Sequence, residues 1–478
     1  MKKIILSTII ILTCANIQAQ EDFFATGLLP DDGRYEQLPR KADLITRDYT
    51  VLPESYSLKK YCPIVKSQSS YGTCTSWATA YAARTIAEAI RWGWTDKNKI
   101  TQESFSPIFV YAQIKDRDDS NCQKGSFISD ALNLMKNKGV CKFSAYNVLC
   151  ASYVNSALLT TASQYKIDDF FTLFSINFSN GNEKVRKVKK ALSEDCPVVI
   201  AMWIPSSFHQ AKSAWNGMDV DTRKHGYHAM CVIGYDNAKN GGSFQIMNSW
   251  GANWGESGFV WVKYSDFAKY VDQAYEIYVK KQYYPEPLPE PKPTPKPKPK
   301  PIPLNELSGE ITLQLATGEK MIPVLDKNSG IYRIAEDYIS GTRYRIYISN
   351  NEPAYVYVIG SDMGNNVSKV FPPKDNISAA LTYKSNHIAI PDETYYVEMD
   401  NTTGKDYMCV LYSKEALNIA DVINKIKLGN GSFYDKVKNA VSGKMASPND
   451  IRYVMNSIGF SAKTNKTVVP IIVEIGHK

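Results

Sequence analysis

Gln68-Ser-Ser-Tyr-Gly-Thr-Cys74, running straight into Thr75-Ser-Trp-Ala-Thr-Ala-Tyr-Ala-Ala-Arg84, is the stretch on which the reading of this chain turns. From position 75 onward Trp77, Ala80, Tyr81, Arg84, Ala87 and Glu88 recur at helical spacing, and Gly93 supplies a stop, so a helix is expected over 75–91. Cys74 then stands at its N-terminal end, where the helix dipole favours an anion. A thiol at its ordinary pKa of ~8.5 is mostly protonated at neutral pH, and such a setting is one device that lowers it.

Two later segments supply the partners a thiolate needs. They read His228-Ala-Met-Cys-Val-Ile-Gly-Tyr235 and Asn248-Ser-Trp-Gly-Ala-Asn-Trp-Gly-Glu-Ser-Gly-Phe259. An imidazole can hold the thiol proton, form an ion pair with the sulfur and return the proton to a leaving amine. An asparagine can accept or donate at the far ring nitrogen and so fix the ring.

In this chain order, Gln68, Cys74, His228 and Asn248 resemble the signature of the papain-like cysteine peptidases, of the secreted bacterial type. The resemblance implies an α+β fold of two lobes with a groove between them, and an endopeptidase acting through a Cys74 thioester. It implies that Cys74 is the nucleophile, His228 the general acid and base, and Asn248 the group that orients His228. Gln68 would hold the oxyanion together with the backbone N–H of Cys74. Trp250 would cover the Asn248–His228 hydrogen bond and Trp254 would line the leaving-group side of the groove. Among substrate-binding positions, Gly72 matches a glycine that lets substrate backbone approach, and Gly125 one that pairs with extended substrate. Tyr227 and Ala201 fall near the main specificity pocket. Relatives usually carry Cys where Tyr71 stands and Trp where Thr75 stands, so Cys122, the usual partner of the first, must be free or bridged elsewhere.

The same residues have plainer readings. An isolated cysteine in an exported protein is usually half of a disulfide, and an isolated histidine is usually structural. Agreement of order, spacing and flanking glycines sets those readings aside for Cys74 and His228. His225 lacks the Ala and strand that follow His228, and His209, His387 and His477 read as surface or packing residues. Cysteines and histidines show no metal-ligand spacing, so no metal and no organic cofactor are expected.

At 478 residues the chain exceeds what one hydrophobic core usually serves. With 44% hydrophobic and 22% charged residues it is ordinary globular material. A formal charge of +8, densest at 292–300, gives no footprint for nucleic acid. Met-Lys-Lys followed by an apolar run over 4–12 and Ile17-Gln18-Ala19 reads as a secretory signal, residues 1–19, too short to span a bilayer as a helix. Export, to the cell envelope or beyond, is the expected localisation; the rival reading makes Cys14 a lipid-bearing residue. No transmembrane segment is expected in the mature chain.

Every second residue over 285–303 is proline, which removes backbone donors and predicts an extended spacer over 285–304, on the order of 60 Å long. The expected organisation is a short leader or masking segment at 20–50, a peptidase-like unit at 51–284, the spacer, and a β-rich accessory unit at 305–478. About thirty residues of leader are too few for a packed inhibitory domain. Within the first unit helices are expected at 129–138 and 183–192, then strands at 198–203, 229–235, 244–248, 259–263 and 274–279. In the second, strands are expected at 311–315, 344–348, 355–359, 395–399, 407–412 and 468–475, with helical patterns at 413–426 and 447–458. Residues 341–412 resemble an uncharacterised β-rich domain appended to bacterial proteases and kinases, which carries no activity with it.

Protein or peptide substrates are the expected partners, with a protein or envelope partner for 305–478. Two rival functions keep the same residues: a transamidase in which an amine intercepts the thioester, and an inert binding protein.

Overall fold

The computed structural model describes residues 24–42, 52–217, 226–280, 305–382, 387–392 and 395–478. The expected signal segment, Cys14, His225 and the Pro-rich spacer lie outside the described residues. Two bodies of buried apolar side chains occupy the rest.

The first body is helices followed by a sheet, the α+β order expected. Its central helix starts at Cys74, takes π-helical geometry from Trp77 to Arg84 and continues as Thr85–Trp92 to the left-handed Gly93 (φ 67°). This helix is buried nearly all round, with even Arg84 at 0% exposure. Arg84 is tolerated there because Glu88 accepts from its guanidinium at 2.7 Å and Phe105 lies under it. Helices Pro107–Ile114 and Ile128–Asn137 pack beside it.

The sheet runs in the order Asp169–Thr172, Val271–Tyr278, Val198–Ile204, Gly226–Asp236, Ser243–Met247, Phe259–Lys263 and Ala214–Trp215, with Ser55–Ser57 pairing Gly226–Asp236. Nearly all its pairs are antiparallel. Register places Ala201 opposite Ala229 and Met202 opposite His228, so His228 sits on a strand held from both sides.

The second body is two facing sheets. One is ordered Pro323–Asp326, Ile331–Tyr338, Val468–His477, Gly404–Ser413, Ala354–Ser361 and Val367–Phe371; the other Ile388–Ile390, Arg343–Asn350, Asn305–Leu315, Ile458–Thr464 and Ile451–Tyr453. Strand Arg343–Asn350 buries Tyr344, Ile346, Ile348 and Asn350 alternately, the period of two expected of a sheet with one dry face. Strand Ala354–Ser361 is dry on both faces, since helices Ile419–Leu428 and Phe433–Ala440 cover its outer side.

Several expectations need correction here. Position 413 ends a strand, and the next helix begins only at Ile419, where the Asn418 side chain caps it. The pattern at 447–458 is a single 3-10 turn, Pro448–Asp450, followed by strands, because Ile451 and Ile458 bury against the sheet at strand spacing. The stretch 395–399 pairs only at Val397–Glu398. Helix Phe433–Ala440, with a Ser432/Asp435 capping box, went unread.

Among the described residues one disulfide joins Cys122 to Cys150, while Cys62, Cys74, Cys141, Cys231 and Cys409 are free thiols. Cys122 is therefore bridged elsewhere, one of the two outcomes that a tyrosine at 71 leaves open. No helix among the described residues is long and apolar enough to cross a membrane.

Candidate active site

Gln68, Cys74, His228 and Asn248 converge where the central helix meets the sheet, and all four are buried. Asn248 Oδ1 accepts from the backbone N–H of Ser249 at 2.7 Å, which identifies that atom as the oxygen, and the same oxygen lies 2.8 Å from His228 Nε2. Nε2 must then carry the proton. In the neutral ring Nδ1 is left as the acceptor, and it has no hydrogen-bond partner. Trp250 stacks on the His228 ring at 4.6 Å and shields this pair from water.

Gln68 is fixed from three directions. Its backbone N–H donates to Ser249 O at 2.8 Å, its Oε1 accepts from Ser249 Oγ at 2.6 Å, and its Nε2 donates to Tyr71 O at 2.8 Å. Ser249 is a site residue that the sequence reading passed over, although it stands inside the quoted Asn-Ser-Trp run.

The groove itself is filled by residues 24–29 of the same chain. Gln68 Nε2 and Trp250 Nε1 both donate to Ala25 O, at 3.0 and 2.9 Å. Ser126 N donates to Gly27 O at 2.9 Å, Leu28 N to Tyr227 O at 3.3 Å and Leu29 N to Ser126 O at 3.1 Å. Phe24 stacks on Trp250 at 4.9 Å, and its N–H donates to His209 Nδ1 at 3.1 Å. His209, read from sequence as a surface or packing residue, thus belongs to the groove wall.

The substrate-binding candidates distribute around this segment. Gly72, whose N–H donates to Cys122 O at 2.8 Å, lies against Gly27. Gly125 takes φ 84° and approaches Gly27 O so closely that a β-carbon there would stand 2.3 Å away. Tyr227 offers its carbonyl to Leu28 and stacks its ring on Trp203 at 4.4 Å. Ala201 is wholly buried in the sheet behind His228. Trp254 meets Trp250 edge-on at 5.2 Å and donates to His209 O at 3.0 Å.

Burial decides protonation. It pushes the Cys74 thiol up to about 11, against the opposing effect of the N–H groups of Ala229, Thr75 and Gly27. It pushes His228 down to about 3, with a further small lowering from His209 and an opposing contribution from Asn248. The covered site is therefore a neutral thiol beside a neutral imidazole. The ion pair anticipated from sequence is not the state of this covered form.

A second grouping, in the C-terminal body, has the outline of a triad: Ser340 Oγ is 3.0 Å from His477 Nε2, and Asp406 Oδ2 is 3.2 Å from His477 Nδ1. His477 Nδ1 has no aligned hydrogen bond, and the N–H groups of Gly341 and Thr342 are engaged by Met399 O and Ile339 O. The two N–H groups that follow Ser340 are thus already engaged, and the contacts hold His477 at the end of strand Val468–His477. Among the described residues no cluster suits a metal ion.

A buried cysteine, an oriented histidine and a peptide-filled groove together give the layout that thiol-based acyl transfer requires. Residues 52–278 match the family model described as papain family cysteine protease. Residues 337–416 match a domain of unknown function. The chain is 25% identical over 224 residues to the gamete and mating-type specific protein A of Dictyostelium discoideum, covering 46% of this chain and 43% of that one. It is 22% identical over 202 residues to an uncharacterised peptidase C1-like protein of Acanthamoeba polyphaga mimivirus, covering 40% of this chain and 61% of that one. The matches thus span less than two thirds of either relative. Among solved structures, the cysteine protease xylellain of Xylella fastidiosa aligns with a TM-score of 0.44 at 21% identity, over 55% of this chain and 98% of that one.

Proposed function

We propose that the protein is an exported cysteine endopeptidase, kept latent by residues 24–29 and hydrolysing peptide bonds once they leave. The observation that carries this reading is the peptide backbone already held in the groove: Ala25 O on Gln68 Nε2, Gly27 O on Ser126 N, and Leu28 N on Tyr227 O. A substrate would exploit the same donors and acceptors.

With the groove open, His228 Nδ1 takes the proton of the Cys74 thiol, and the sulfur attacks the substrate carbonyl carbon. The carbon–sulfur bond forms as the carbonyl π pair moves to oxygen, which Gln68 Nε2 and the Cys74 N–H receive. Collapse breaks the carbon–nitrogen bond, and the amine leaves with the proton from His228. Water, deprotonated by His228, then cleaves the thioester and regenerates the thiol. Asn248, through Nε2, keeps the imidazole in the tautomer that this sequence requires.

The leader supports latency by its direction. Phe24, at the N-terminal end of the groove-filling stretch 24–29, lies at Trp250 on the leaving-group side, and Leu28 lies at Tyr227 on the acyl side. A substrate runs the other way, so the leader presents no bond in the orientation the thiol attacks. Export rests on the Met-Lys-Lys and apolar pattern of residues 1–19.

The test is peptide-library cleavage by wild-type protein freed of its leader, beside Cys74→Ala. Cleavage by the first alone, with products heavier by one water, is expected. Products heavier by an added amine would indicate the transamidase, and failure of an epoxysuccinyl peptide to label Cys74 would indicate the binding protein.

A further inference from the structure

Residues 39–42 make none of the groove contacts and instead run between the two bodies. On one side Thr172 N donates to Pro39 O at 3.0 Å and Lys41 N to Thr172 O at 2.9 Å; on the other Arg40 N donates to Asn376 O and Ser378 N to Arg40 O, both at 2.7 Å. Arg40 therefore pairs in parallel with Thr172 and with Ile377 at once. The segment pairs with the edge strand Asp169–Thr172 of the peptidase sheet at Thr172 and joins it to the accessory unit.

Side chains close the same seam. Lys41 Nζ lies 2.8 Å from Glu276 Oε1 with both groups almost wholly buried. Thr382 Oγ1, from the accessory unit, accepts from Lys41 Nζ and donates to Glu276 Oε1 at 3.1 Å. Ala42 packs into the accessory core, while Phe171 of the peptidase edge strand packs into the apolar cluster on that unit's other side. Withdrawing Lys41 would take the buried cation away from the Glu276 carboxylate, an expensive change.

We propose that the surface formed by residues 376–382 of the accessory unit is a docking strand whose partner is this chain's own leader, and that the unit acts to retain residues 24–29 in the groove. The assignment falls inside the segment matching a domain of unknown function. Between the groove and the seam lies one short helix, Asp32–Gln37, pinned by the Tyr35 hydroxyl at 2.7 Å from Phe174 O. Fixing 39–42 keeps 24–29 at high effective concentration over the groove even when its own few hydrogen bonds open. The retention argument rests on the latency reading above, while the docking itself does not.

Full-length Thr382→Val and Ser378→Pro, both in the accessory unit and remote from the catalytic groups, test the idea by amide exchange read with mass spectrometry. The expected result is faster exchange, about fivefold for the loss of one net hydrogen bond, at the Lys41 amide and also at the Leu28 and Leu29 amides, with strand Gly404–Ser413 unchanged. Unchanged rates at Leu28 and Leu29, whether or not Lys41 speeds up, would overturn it. If Ser378→Pro also loosens Gly404–Ser413, the near-isosteric Thr382→Val decides. Because exchange needs no catalysis, a leader-free protein that cleaves nothing would sink the peptidase reading and leave this result standing.

Discussion

Gly27 and Gly72 meet backbone to backbone: a β-carbon built on Gly27 would stand 2.1 Å from Gly72 O. Neither partner is a flexible side-chain end, so nothing can give way. Gly27→Ala should therefore expel residues 24–29 while leaving the catalytic groups untouched. Cys74 in the full-length variant is expected to react with an epoxysuccinyl peptide at least about tenfold faster than in wild type, counted by intact mass. Equal rates would mean that the leader does not govern access to the sulfur.

Acid should loosen the leader. His228 is pushed down to about 3 in the covered site and returns towards its ordinary 6.5 when water enters. A group whose pKa is depressed in one state stabilises that state fully above the higher value and progressively less below it. Covering is thus firm above pH 6.5 and weakens by up to about tenfold per pH unit on acidification towards 3. Cys74, pushed up to about 11, works in the opposite sense and matters only above pH 9. Protection of the Leu28 and Leu29 amides, corrected for intrinsic exchange, should fall about tenfold between pH 6.5 and 5. His228→Ala should flatten that dependence.

Ser249 acts through Gln68. Its hydroxyl holds Oε1 at 2.6 Å, which aims Nε2 at the position occupied by Ala25 O. Gln68→Ala is expected to lower kcat by about a hundredfold or more, as loss of an oxyanion donor does. Ser249→Ala should lower kcat by roughly fivefold with KM unchanged. In the Gln68→Ala background, Ser249→Ala should be nearly silent in a double-mutant cycle. An equal loss in both backgrounds would show that Ser249 acts elsewhere.

The Cys122–Cys150 bridge closes a loop with a sequence separation of 28 beside the groove wall at Gly125. Cys150→Ser should lower unfolding free energy by about 3 kcal/mol, seen as a lower guanidinium midpoint with little change in slope. Full retention of the midpoint would assign the bridge no part in stability.

Much of this architecture is legible in the chain because local and global preferences agree. The helix after Cys74 announces itself through Trp77, Tyr81 and Arg84, and Phe259–Lys263 and Val198–Ile204 through unbroken apolar runs. Legibility fails where one residue type serves two structures. Ser447-Pro448 caps a helix elsewhere as well as it caps one 3-10 turn here, and only the sheet partner of Ile451 and Ile458 decides. At the site, residues joined by short motifs were readable, whereas His209 was not: its place comes from a turn, Ser206–His209, whose aim depends on the tertiary contact of Trp254 with His209 O. The leader's course across the groove was equally hidden, since Ala25, Thr26 and Gly27 are chosen for smallness rather than for any pattern.

Strand Val468–His477 lies between Ile331–Tyr338, to which it is parallel, and Gly404–Ser413. The accessory sheet cannot be completed on the ribosome until those late codons have been read. Pairing of Arg40 with Ile377 thus comes after the nucleophile helix has already emerged. During synthesis the nascent chain passes through an interval in which its thiol is finished but its seam is not, and translation speed over the codons for residues 305–478 sets how long that interval lasts.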